Sequence, residues 1–161
     1  MAEAAGIKII YVDSPANVEA EATFSTDNKA GGQKAAHPYR ELMSEDCFVL
    51  GKNEPFSLQE GRYLYLTHDL FDHDAIILTN IPEQVTLGSE KGNKKIIVKF
   101  AQMKYLGIWH RPGKKTNYVC IEPWSSLPSR KGIVEDIEIQ PGLISLKAGD
   151  RYINTWSITI K

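Results

Sequence analysis

The chain has 161 residues, a formal net charge of −1 and a pI near 6.4, enough for one ordinary hydrophobic core and with no need of a second. That charge balance excludes a general electrostatic role with nucleic acid or with an anionic membrane surface, because both require a cationic face. No apolar run approaches the roughly 20 residues of a membrane helix and no charged-then-apolar leader opens the chain, so the cytoplasm is the expected compartment.

In chain order, residues 7–12, Ile-Lys-Ile-Ile-Tyr-Val, read as a strand. A polar, small-residue stretch follows and ends in 27–36, which offers too little apolar area to offset the cost of ordering and is expected as a loop. We therefore separate an N-terminal segment, 1–36, from a β domain over 37–161. Within that domain short β-rich runs alternate with turn chemistry: 47–50 before Gly51-Lys-Asn, 63–66, 75–78 before Asn80-Ile-Pro82, and 84–87 before Gly88. The series continues with 95–100, then 105–110 turning at Arg111-Pro-Gly113 into 116–122, then 133–139 before Pro141-Gly142, 143–146, and a final run 153–160 with one face buried. No window of 11 or more residues carries a helical apolar period free of proline and glycine. The expected class is all-β, and the regular spacing of short strands points to a sandwich or a barrel.

Glu122 is the first candidate for chemistry. It closes the run Asn117-Tyr-Val-Cys-Ile121 and precedes Pro123, which is expected to end the ladder there and leave the carboxylate at a sheet rim. Period-two alternation sends Val119 and Ile121 to one face and Tyr118, Cys120 and Glu122 to the other. A carboxylate beside an aromatic ring suits sugar chemistry, where rings stack on C–H faces and an acid or base works on hydroxyl protons. A solvated strand-end glutamate is the plainer reading. Cys47 and Cys120 sit outside any Cys-x-x-Cys pattern and read as free thiols.

The densest polar cluster is His68-Asp-Leu-Phe-Asp-His-Asp74, with two imidazoles and three carboxylates in seven residues. A metal hydrolase using His68, Asp72 and His73 is one reading. Against it, the histidines are five apart across an expected turn, so no metal is assigned. A polar turn into 75–78, or an aspartate that accepts sugar hydroxyls, are the others. Trp109 lies two residues after Gly107, and a glycine there leaves room for a ligand or a neighbouring strand.

The strings Tyr105-Leu-Gly-Ile-Trp-His and Tyr118-Val-Cys-Ile-Glu-Pro-Trp124, with a final run after Leu146-Lys-Ala-Gly-Asp150, resemble the C-terminal half of the aldose 1-epimerase (galactose mutarotase) family, in its shorter bacterial branch. The resemblance covers roughly 63–161. It implies a large antiparallel sandwich, here incomplete, that needs no cofactor and interconverts the α and β anomers of a free hexose such as glucose or galactose. By the same resemblance Glu122 is the base at the anomeric hydroxyl, His37 the acid at the ring oxygen, and either Asp72 or Asp74 a sugar-hydroxyl ligand, with Trp109 lining the site. The stretch Ala35-Ala-His37-Pro-Tyr-Arg40 keeps only the histidine, the proline and the aromatic of the family's pattern. Family members are also nearly twice this length, and their other half supplies strands, a second histidine and an arginine. A truncated or split member with unpaired sheet edges, prone to self-association, is the expectation. A non-catalytic sugar-binding sandwich is the alternative.

Overall fold

The computed structural model describes residues 22–25, 37–89 and 92–161. Among them ten strands form two five-stranded antiparallel sheets: β1 (Ala22–Ser25), β2 (Tyr39–Met43), β3 (Val49–Pro55), β4 (Tyr63–Leu66), β5 (Ile76–Thr79), β6 (Gln84–Ser89), β7 (Lys95–Lys99), β8 (Tyr105–Trp109), β9 (Cys120–Trp124) and β10 (Ser157–Ile160). One sheet runs β10-β7-β6-β1-β4 and the other β3-β2-β5-β8-β9. The fold is the all-β antiparallel sandwich that the family resemblance implies, one of the two architectures that the strand spacing left open, with a short 3-10 turn, Asp69–Phe71, ahead of β5.

Alternation explains the layering. Ile76 and Leu78 of β5 and Leu106 and Ile108 of β8 point between the sheets, where they meet Leu64, Val85 and Val98 of the opposite sheet with Phe71 and Phe100 closing the ends. Each such side chain contributes on the order of 1.5–3 kcal/mol by leaving water, and this inter-sheet cluster is what holds the layers together. Beyond it, toward β9 and β10, the interior is not filled. A cavity of roughly 470 Å³ is lined there by Leu87, Val98, Ile121, Pro123, Trp156 and Ile158, among others.

Several expectations need correcting. β9 does not end at Glu122: Pro123 lies opposite Leu106 and Trp124 opposite Tyr105, so the ladder runs on. The proline is tolerated because β9 is the outer strand of its sheet, where its missing N–H faces no partner. β2 falls on Tyr-Arg-Glu-Leu-Met, a run whose charged pair hides its strand character. β3 begins inside the expected run 47–50 and continues through Gly51-Lys-Asn53, where a turn was expected; the real turn is at 44–48, closed by Cys47 N–H donating to Ser44 O at 2.9 Å. The runs 133–139 and 143–146 are not strands; around Asp136 the chain turns, with the Ile139 and Gln140 N–H groups donating to its carbonyl at 3.1 and 2.8 Å. β10 is shorter than 153–160, and Trp156, Ile158 and Ile160 are all more than half exposed, so the face expected to be buried is not covered. The strand expected at 7–12 and the loop at 27–36 lie outside the described residues.

Candidate functional site

In the β3-β2-β5-β8-β9 sheet, register aligns Ile77 with Gly107 and Gly107 with Glu122. One step along, Trp109 pairs with Cys120; one step back, Tyr39, Thr79, Tyr105 and Trp124 follow each other across four strands. Opposed residues of antiparallel strands share a face. Since Leu106 and Ile108 fill the core, this alternate set occupies the side of the sheet away from it. Glu122, Trp109, Cys120 and Trp124 are thus brought together on one surface, as the period-two reading of 117–122 expects, while Val119 and Ile121 line the inter-sheet cavity.

After β9 at one edge, the chain reaches β3 at the other edge by Arg130, where Val49 N–H donates to Ser129 O at 3.0 Å and Lys131 N–H donates to Val49 O at 2.9 Å. Six extended residues reach about 20 Å, against about 19 Å for four interstrand spacings laid flat. The crossing is therefore close to fully extended between the two edges of the sheet, whose side away from the core is its outer side. Ile77, on that outer side, is fully buried, and Glu41, which shares the face of β2 with Tyr39, is nearly so. Arg130 is fastened by its own pair, Nε and Nη2 donating to the Glu135 carboxylate at 2.7 and 3.0 Å.

The Glu122 carboxylate accepts a hydrogen bond from the Cys120 thiol; burial, then the Glu122 charge and that bond, push the thiol pKa up. A thiol held protonated is a poor nucleophile, so Cys120 serves as a donor to Glu122. The space above Gly107 is taken by the indole of Trp124: a Cβ built there would lie 3.3 Å from Trp124 Cζ2 and 3.4 Å from Glu122 Cβ. The glycine therefore makes room for the neighbouring strand rather than for a ligand: the Trp124 ring and the Glu122 Cβ and carbonyl oxygen of β9 are what approach it.

The polar cluster 68–74 splits into three. His68 turns toward His110, with Nδ1 to Nε2 at 3.3 Å, and His110 Nδ1 donates to Arg111 O at 2.9 Å. Asp72 and His73 are exposed. Asp74 alone faces the site: Trp109 Nε1 donates to its Oδ1 at 2.6 Å and the Cys47 thiol to its Oδ2 at 2.7 Å. Its φ of 76° turns the chain from the 3-10 segment into β5, a conformation that aspartate tolerates better than most residues. Trp109 in turn has the Tyr118 ring 6.2 Å away, centroid to centroid. Among the described residues no group of three or more His, Cys, Asp and Glu side chains could hold a metal ion.

His37 is exposed and precedes β2, its carbonyl accepting from Asn80 Nδ2 at 2.8 Å. Register sets it three strands and four residues from Glu122, about 20 Å on a flat sheet. Glu41 is the residue that the sequence reading missed. Burial pushes its carboxyl pKa above the usual range, partly opposed by a hydrogen bond with Asn53, and the Tyr105 hydroxyl is raised by burial and then by the Glu41 charge. A lone glutamate in an unrecognised strand carries no signal of this.

No protein-family model matches the chain. It is 32% identical over 107 residues to Protein LacX, chromosomal, of Lactococcus lactis subsp. lactis, which is 66% of this chain and 35% of that protein; the plasmid LacX matches to the same extent. In three dimensions it is similar to a galactose mutarotase related enzyme from Lactobacillus acidophilus, with TM-score 0.74 and 23% identity over 91% of this chain and 47% of that one. A galactose mutarotase-like protein from Lactobacillus casei gives TM-score 0.71 and 27% identity over 88% and 46%. The chain thus spans about half the length of these solved structures and about a third of LacX. Fold and sequence relationship are those of the aldose 1-epimerase-like, galactose mutarotase-related proteins.

Proposed function

We propose that the outer face of the β3-β2-β5-β8-β9 sheet takes a free aldohexose and interconverts its α and β anomers. The observation that carries the reading is the alignment of Glu122 across from Gly107, with Trp109 and its partner Asp74 on the same surface. Glu122 takes the proton of the anomeric hydroxyl as an acid protonates the ring oxygen; the C1–O5 bond breaks to the open-chain aldehyde and the C1–C2 bond rotates. Addition of the O5 hydroxyl to the other face of C1, with both protons returned, gives the second anomer. Paired proton transfer avoids a free alkoxide at either oxygen. Asp74 accepts from a sugar hydroxyl, and Trp109, Trp124 and Tyr118 offer ring surface to C–H faces. His37 is the acid in this reading.

A second reading, a sugar-binding sandwich without catalysis, is favoured by the lateral separation of His37 from Glu122. Polarimetry of freshly dissolved α-glucose and α-galactose separates the two. Acceleration above solvent that vanishes in Glu122→Gln supports the epimerase; saturable sugar binding at solvent rates supports the module, and neither acceleration nor binding removes both. Association of chains through free sheet edges belongs to the same proposal, since β10 and β4 border one sheet and β9 lies at an edge of the other.

A further inference from the structure

Most of the large exposed apolar side chains fall in the last 29 residues of the chain. Val134 is wholly exposed, Ile137 and Ile139 are 77% and 78% exposed, and Ile153, Ile158 and Ile160 more than half. Large apolar side chains gathered and exposed in one segment are costly in water and mark an interaction face. It divides by charge. Residues 133–146 carry Glu135, Asp136 and Glu138 and no lysine or arginine, whereas 147–161 carry Lys147, Arg151 and Lys161 against Asp150. Within the chain Glu135 is already held by Arg130, while the Asp136 and Asp150 carboxylates accept only from the backbone N–H groups of Glu138 and Lys147; Asp136 and Glu138 stay exposed on one stripe and three cations on the other. Both stripes alternate apolar residues with polar ones, and the second contains β10, the free edge of its sheet.

We propose that this surface is covered by a second copy of the chain, in a two-fold pairing that lays the acidic apolar stripe of each protomer on the basic apolar stripe of its partner. It gives a definite form to the self-association proposed above and does not depend on catalysis. A two-fold interface is self-complementary, so opposite charges on two stripes of one molecule satisfy each other twice. At a net charge of −1 the copies do not repel at long range. The 29 residues match the roughly 20–30 per side of a standard interface. Two copies also bring together about as much chain as one solved relative holds, since this chain covers 46–47% of each.

Sedimentation or light scattering of the full chain at rising concentration tests this, with two charge-inverted variants: Asp136→Lys with Glu138→Lys, and Lys147→Glu with Arg151→Glu and Lys161→Glu. The expected result is a dimer of twice the 18.1 kDa chain mass, each variant monomeric alone, and dimer restored when the two are mixed. Both variants alter exposed side chains only, and circular dichroism that matches the parent confirms their fold. A parent that stays monomeric overturns the proposal, as does a dimer indifferent to both inversions, a mixture that stays monomeric, or open-ended growth beyond the dimer. Mutarotation measured on the same samples reads the proposed activity separately.

Discussion

Gly107 stands directly across from Glu122 in the β8–β9 ladder, and the indole of Trp124 rests over the position that a side chain at 107 would fill. Three features of the surface follow from that pairing. The carboxylate points to the side away from the core, an aromatic ring flanks it, and the glycine is required by packing rather than by backbone angle.

Gly107→Ala is expected to disturb this arrangement. The added methyl would sit 3.3 Å from Trp124 Cζ2 and 3.4 Å from the Glu122 Cβ and carbonyl oxygen, and overpacking costs about 1–3 kcal/mol. Reduced chain entropy in the unfolded state returns about 0.4–1 kcal/mol, so the net loss is about 1 kcal/mol, read by urea unfolding. Displacement of the ring and the carboxylate lowers any mutarotation by tenfold or more. A variant as active as the parent would disconnect the glycine from the site.

Trp109→Phe keeps the ring surface and deletes the donor to Asp74. A hydrogen bond to a charged group is worth about 1.5–3 kcal/mol, less at this partly exposed position, so hexose affinity should fall about tenfold by titration calorimetry. Asp72→Ala, at an exposed residue turned from the surface, should leave affinity within about twofold. The reverse ranking would make Asp72 the sugar ligand.

Glu41→Gln addresses the buried carboxyl. Burial raises its pKa above the reference value of 4.5. An acid with a raised folded pKa holds its proton in the folded chain at pH values where the unfolded chain has lost it. Its contribution to stability is complete below pH 4.5 and declines as pH rises toward the folded pKa. The glutamine cannot ionise, so the difference between variant and parent should move in the variant's favour between pH 4.5 and 7, followed by denaturant midpoint. A difference that is flat with pH would mean that the carboxyl is better solvated than its burial implies.

Leu106→Ala removes a fully buried side chain from the inter-sheet cluster. The cost is about 2–5 kcal/mol, a large share of the stability of a small domain. Retention of the parent's midpoint would place the real core elsewhere.

Much of the strand map was legible because period-two alternation and turn residues act locally. β4 falls on 63–66 as expected, and β5 to β8 lie within one or two residues of their expected ends. β2 and β3 were not legible, since Arg40, Glu41 and the polar Lys-Asn-Glu of β3 are held in strands by pairing with each other and with β5, and tertiary pairing overrides propensity. The runs 133–139 and 143–146 show the converse: strand-like composition does not make a strand where no neighbouring edge receives its hydrogen bonds.

By itself the sequence determined the all-β class, most strand positions and the face of Glu122, because each depends on neighbours within a few residues. Only the tertiary structure decided that Asp74 rather than Asp72 meets Trp109, that Trp124 fills the space over Gly107, and that Glu41 is buried on the same face. Those outcomes depend on contacts between strands distant in the chain, such as 35 residues for Asp74 and Trp109. Strand order and register set such contacts, and no local pattern encodes them.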